Sequence, residues 1–291
     1  MDSYFTNRAN GGLLIKKPAK LNYFCVYCGN GYWKPFPGLF EKYLSNKLNL
    51  IEISEDEFLK KKEKYEMQSV SSDFNLDDFF IIKHIPHSSL AFPLEERPLN
   101  DFDRYNFKMS DLFVDVLFSS VKGIEIKSDY SRLYVDVEKY KDDKKEIMSQ
   151  YGQGMIYTKY FDGTPVQYEH GINRSKREKY YDTYHQNLAE LVNKYIDQGT
   201  NILFLDCHSF SDEMASVLNK EPFPDVCIGI NSDFNEFKLL SKIVHELMKR
   251  HLTYQINYPY SGSLVPNNLH KLKTNQKFIS IMLEINKRLY L

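Results

Sequence analysis

Residues 201–210 read NILFLDCHSF. Ile202 to Leu205 form an unbroken apolar run of the kind found in a strand buried on both faces. Asp206 and His208 follow at once, two residues apart, so in an extended chain both side chains point to the same side. A second run, FIIKHIPHSS at 80–89, ends in a similar way. Its strand, expected over 79–85, stops at Pro86-His87-Ser88-Ser89, a polar cluster with no glycine. Two apolar strands, each with a histidine just past its apolar stretch, set the reading of the chain.

Around them, strands and helices alternate. Short strands are expected at 123–126 and 133–137, buried ones at 226–231 and 278–285. Helical spacing appears at Leu112, Val116 and Leu117 (111–121), and at Tyr184, Leu188, Leu191 and Tyr195 (176–196). The clearest helix, 237–252, has Leu240, Ile243, Val244, Leu247 and Met248 in phase. This pattern implies an α/β domain with a mixed, mainly parallel central sheet and helices on both faces. In such sheets ligands bind beyond the carboxyl ends of the strands, where His87 and His208 lie.

Ahead of this domain, Ser54 and Glu57 form a capping box for a polar helix over 55–67. The stretch SVSSDFNLDD (69–78) reads as a linker. A boundary near residue 75 therefore separates an N-terminal extension or small α+β subdomain, 1–75, from the domain 76–291. Cys25 and Cys28 form a single CxxC without a second pair, because Cys207 and Cys227 stand alone. A hairpin, with Phe24, Val26 and Trp33 in its core and Gly29-Asn30-Gly31 as its turn, is the simpler reading.

Composition narrows the function classes. A chain of 291 residues with 42% hydrophobic and 26% charged residues is an ordinary globular one. A net charge of -1 gives no electrostatic reason to expect nucleic acid or an anionic membrane as partner. No apolar run approaches the ~20 residues of a spanning helix. The first residues, MDSYFTNRANGGLL, lack the basic start and apolar core of a signal peptide. Four cysteines are too few for a disulfide framework. The expectation is a soluble cytoplasmic protein acting on a small molecule.

Two imidazoles and a carboxylate make a three-ligand zinc site with a fourth position open to water, so His87 and His208 are metal candidates. A structural role at a strand end is the competing reading for each. Asp206 can accept the far ring N–H of a ligand histidine, or cap the next loop. Glu284 is one of two charges in FISIMLEINK, an otherwise buried strand, where an unpaired carboxylate is costly. A salt bridge is the structural alternative.

The series PHSSLAFP, SDLFVDVLF, YSRLYVDVEKY, GQGMIYTKYFDG, REKYYDTYHQNLAEL, LDCHSF and IMLEINK, over roughly residues 77 to 290, resembles the N-formylglutamate amidohydrolases. The resemblance implies a zinc carboxypeptidase-type (phosphorylase/hydrolase-like) fold and one Zn2+ ion held by His87, Asp111 and His208. Asp115, one turn on, is the reserve ligand, and a favourable helix-start charge is the alternative role for Asp111. It implies Glu284 as general base, and Arg132 as the group that stabilises the oxyanion or holds a substrate carboxylate. Arg177 and His185 fall on family positions that serve the substrate pocket; without the resemblance they read as a surface charge and a helix residue. The chain departs from the family at 136–139. Where Asp-Leu-Asn-Arg is common, it has Asp136-Val137-Glu138-Lys139. Glu138 adds negative charge where a substrate anion is recognised, and Lys139 lacks the planar fork of arginine. The change leaves the reaction type in place and weighs against formylglutamate itself.

The sequence thus points to a zinc-dependent amidohydrolase acting on an N-formyl or N-acyl amino acid or a small peptide-like molecule. A carboxypeptidase-like metallopeptidase and a non-catalytic binding protein on a degenerate hydrolase scaffold are the rivals.

Overall fold

The computed structural model of the protein describes residues 2–6, 14–19, 24–27, 33–36, 51–70, 76–231, 236–264 and 278–291. The chain divides into two compact units, Met1–Phe74 with Phe237–Glu246, and Asn75–Glu236 with Leu247–Leu291.

The first unit holds an antiparallel sheet of β1 (Ser3–Thr6), β2 (Leu14–Lys17), β3 (Phe24–Tyr27), β4 (Trp33–Phe36) and β5 (Ile51–Ile53), in the order β4-β3-β2-β1-β5. Phe5, Ile15 and Ile53 are buried. The helix Glu55–Val70 starts with three acids, which complement its positive end, and Ser54 Oγ accepts the Glu57 N–H at 3.2 Å. Phe58, on its first turn, stacks near Tyr4 with ring centroids 4.4 Å apart. β3 and β4 form the antiparallel pair expected around the CxxC. Cys28 and the 29–31 turn lie outside the described residues, as do the side chains of Phe24, Val26 and Trp33.

The second unit is the α/β domain. Its sheet contains β6 (Phe79–Ile85), β7 (Ile124–Lys127), β8 (Asn201–Phe210), β9 (Val226–Ile230), β10 (Tyr254–Ile256) and β11 (Phe278–Asn286), in the order β10-β9-β11-β8-β6-β7. Every pairing is parallel except β9 with β11. Side chains alternate across the sheet. Ile82, Ile202, Phe204 and Phe278 share one face, where they pack against Leu188, Ala189 and Val192 of the helix Arg174–Asp197. Lys83 points to the opposite face, and its Nζ donates to the carbonyl of Phe118, just past the short helix Val114–Leu117. Among the described residues, no helix is long and apolar enough to cross a membrane.

Two expected elements differ, and β8 runs on through His208 to Phe210, so that His208 stands within the strand and not past its end. The helix expected over 111–121 is only Val114–Leu117, because Phe113 takes a left-handed φ of 61° and ends any helical run from Asp111. A separate helix, Phe102–Met109, precedes it. The strand expected over 133–137 is a buried loop: Tyr134 N–H donates to the Ser131 carbonyl and Asp136 N–H to the Met155 carbonyl. Leu133, Tyr134, Val135 and Val137 are all buried. The apolar run there reflects enclosure on every side, a pattern that composition shares with a pleated strand.

Candidate active site

Along the helix-packed face of the sheet, the apolar positions give way to polar ones towards the carboxyl ends. On β8, Ile202 and Phe204 are followed on the same side by Asp206 and His208. In register with them, His84 of β6 pairs with Asp206, and Glu284 of β11 pairs with His208. The backbone of β6 ends at Ile85, and two residues later His87 turns towards the same rim. Its carbonyl accepts the Asp111 N–H at 2.8 Å, which fixes the segment bearing Asp111 beside it. Lys287 ties this segment to β11, because its Nζ donates to the carbonyls of Lys108 and Ser110 at 3.0 and 2.7 Å.

The result is a buried cluster. His87 Nε2 lies 2.9 Å from Asp136 Oδ1, and His208 Nε2 lies 3.0 Å from Glu138 Oε1 and 3.1 Å from Asp206 Oδ1. Those carboxylates accept, so each Nε2 carries a proton, and each Nδ1 presents a lone pair when its ring is neutral. Both Nδ1 atoms face one oxygen, Asp111 Oδ2, at 3.6 Å from His87 and 3.0 Å from His208. A proton on His208 Nδ1, or a cation between the three atoms, offsets the charge of the buried Asp111 carboxylate there. His87 Nδ1 has no hydrogen-bond partner. His87, Asp111 and His208 are also one of two groups whose donor atoms are close enough to hold a metal ion; the other is His84, Glu138, Asp206 and His208. In that second group the donor atoms already engage one another, with His84 Nδ1 2.7 Å from Asp206 Oδ1.

Asp136 organises the other side. Its Oδ1 meets His87, and its Oδ2 accepts from Arg132 Nη2 at 2.9 Å and Tyr157 Oη at 3.0 Å. Burial alone would raise the Asp136 carboxyl, but His87 and Arg132 hold it well below the usual carboxylate range. Burial likewise opposes protonation of His208, and Glu138 and Asp206 outweigh it, raising His208 well above its ordinary value. Glu284 differs from these carboxylates. It is 8% exposed and its Oε2 has no partner, and burial pushes it up to about 8. All of these groups except Asp136, Asp206 and His84 line a cavity of about 410 Å³.

The structure brings together His87, Asp111, His208, Glu284, Arg132, Glu138, Lys139 and Asp206. Three other candidates lie elsewhere. Asp115 is paired with Lys127 at 3.0 Å, away from the cluster. Arg177, read as a pocket residue, is fully buried, with Nε and Nη2 on Glu96 Oε2 and Nη1 on the Tyr134 carbonyl, its guanidinium stacked over the Tyr134 ring. His185 is buried under the sheet with Nε2 donating to the Val137 carbonyl at 2.7 Å. Both hold the 134–139 loop from behind. Sequence reasoning missed His84 and Asp136 as site residues. His84 shares strand parity with Ile82, and Asp136 follows Arg132 by four, which were the available signals.

The model of the family described as N-formylglutamate amidohydrolase matches residues 80–291, the whole stretch from β6 onward. That match makes the chain a hydrolase. The chain belongs to the N-formylglutamate amidohydrolase family. Among solved structures it is similar to an N-formylglutamate amidohydrolase from Ralstonia eutropha JMP134, with a TM-score of 0.62 and 20% identity over 73% of this chain and 84% of that one. It is also similar to the gene product Atu2144 from Agrobacterium tumefaciens, with a TM-score of 0.52 and 17% identity over 73% of this chain and 81% of that one. At these identities the likeness is one of fold. No curated protein matches the sequence.

Proposed function

We propose that the protein is a zinc-dependent amidohydrolase that cleaves the amide of an N-formyl or N-acyl amino acid or a small peptide-like molecule. The observation that carries this is the convergence of His87 Nδ1, His208 Nδ1 and Asp111 Oδ2 beside the unpartnered carboxylate of Glu284. Two imidazoles and one carboxylate suit a single zinc ion, with Asp136 behind His87 and with Asp206 and Glu138 behind His208 to fix the ring tautomers. When bound there, zinc acidifies water and polarises a carbonyl.

The remaining steps belong to side chains of this chain. Glu284 Oε2, poised by burial near neutrality, takes the proton of the attacking water and returns it to the leaving nitrogen. Arg132 lines the cavity, oriented by its two bonds to Asp136, so its positive charge is in place before an oxyanion develops. The same reading takes the sheet as one of the zinc carboxypeptidase type, supported by its mainly parallel order, its one antiparallel pairing and a site at the strands' carboxyl ends. Hydrolysis of a panel of N-acyl amino acids and dipeptides, with zinc and with a chelator, tests the proposal. Turnover that is lost with chelator and regained with zinc is expected. Chelator-insensitive turnover would refute the zinc, and no turnover on any member would refute the activity.

A further inference from the structure

The cavity in front of Glu284 is lined by two unlike groups of side chains. One is polar and already engaged. Arg132 commits Nε and Nη2 to Asp136, and Lys139 lies 3.8 Å from Glu146. These two are the lysine and arginine lining the cavity among the described residues, and they share the lining with three acids, Asp111, Glu138 and Glu284. The other group is apolar: Phe210 at the end of β8, Met282 within β11, Phe161, Met214 on the helix Asp212–Ala215, and Val217 and Leu218 just after it. Val217 and Leu218 are each 48% exposed, so they present apolar surface at the mouth that a bound group would cover.

A substrate carrying two carboxylates needs two cationic partners. A buried carboxylate without one is strongly disfavoured. One carboxylate can be met by Arg132 and Lys139, which already face acids of their own, but a second, on the substrate's side chain, would be left with the lining acids or with methionine, phenylalanine and leucine. We infer that this site takes monoanionic N-acyl amino acids with an apolar side chain, such as leucine, methionine or phenylalanine, in preference to acidic ones. The inference rests on the amidohydrolase reading and specifies its substrate class. Covering an aliphatic side chain with these apolar residues favours it by about 10- to 100-fold over one that gains no burial.

The test compares kcat/KM of the zinc-supplied full chain for N-formyl-leucine, N-formyl-methionine and N-formyl-glutamate, in wild type and Leu218→Lys. Position 218 is half exposed, so the substitution is compatible with folding. Wild type should favour the apolar substrates by at least about tenfold. Leu218→Lys should lower the leucine value and raise the glutamate value, narrowing that ratio several-fold. Formyl-glutamate turned over as well as formyl-leucine overturns this inference and leaves the amidohydrolase reading standing. An unchanged ratio in Leu218→Lys also overturns it, because the apolar group then does not touch the side chain. Hydrolysis of none of the three, or of any dipeptide, removes the amidohydrolase reading and this inference with it.

Discussion

Replacing Glu284 by glutamine separates a catalytic carboxylate from a structural one, because the two roles predict opposite changes in stability. Glu284 is 8% exposed, Oε2 has no partner, and burial pushes its acid up to about 8. Raising an acid's folded pKa above its unfolded value means that the unfolded chain gives up its proton first. Stability is thus lost as pH rises from the ordinary glutamate range towards 8. A glutamine side chain would keep the shape and remove that titration. Chelator-treated Glu284→Gln should therefore be as stable as wild type near pH 5 and more stable near pH 8, by on the order of 1–3 kcal/mol, because wild type must there hold a proton or bury a charge and glutamine does neither. Turnover should fall by about 10²–10⁴-fold, since the amide accepts no proton, while bound zinc stays. Thermal melts at the two pH values, a turnover assay and metal analysis read these three effects. A variant within tenfold of wild-type turnover would refute the base, and one less stable than wild type at pH 8 would show that Glu284 serves an ion pair.

The ligand set predicts that His208→Ala and Asp111→Ala lose zinc in metal analysis. Asp115→Ala should retain it, since Asp115 only pairs with Lys127 at the surface. Glu138→Asn/Lys139→Arg should change the order in which acidic, neutral and basic N-formyl amino acids are turned over. Glu138 contacts His208 and lines the cavity, and an unchanged order would remove both residues from substrate recognition. Arg177→Met should cost about 1–3 kcal/mol in denaturant melts, because the buried Tyr134 carbonyl loses its donor and Glu96 keeps only Lys176. An effect on KM alone, with stability intact, would return Arg177 to the substrate pocket.

The sheet was legible because its central strands have little freedom: FIIKHI, NILFLD and FISIML are apolar on both sides and must be buried. The positions of His87, His208 and Glu284 followed from that burial, since a polar group at a buried strand's end has to meet another. Asp136 was harder to see. It sits in a loop whose apolar neighbours imitate a strand, and only the folded chain shows one carboxylate meeting an imidazole, a guanidinium and a phenol together. Arg177 misled for the converse reason. A charged residue on a polar helix reads as exposed, and nothing local shows that Glu96, far upstream, has drawn it inside. The CxxC was easier, as the missing second pair excluded a four-cysteine metal site without any structure.

The position of β11 has a consequence for how the fold is reached. Of the six strands in its sheet it is made after all the others, yet it lies in the interior, parallel to β8 on one side and antiparallel to β9 on the other. Before residues 278–286 arrive, β6, β7 and β8 can associate on one side and β9 with β10 on the other, with two open edges waiting. The insertion of β11 closes both edges at once. It carries Glu284 into the site, and Lys287 behind it draws in the segment holding Asp111. Active-site assembly and sheet closure therefore depend on the same strand, which pairs residues far apart in the chain. A chain without β11 in place would expose the edges of β8 and β9, two open templates for pairing with other chains.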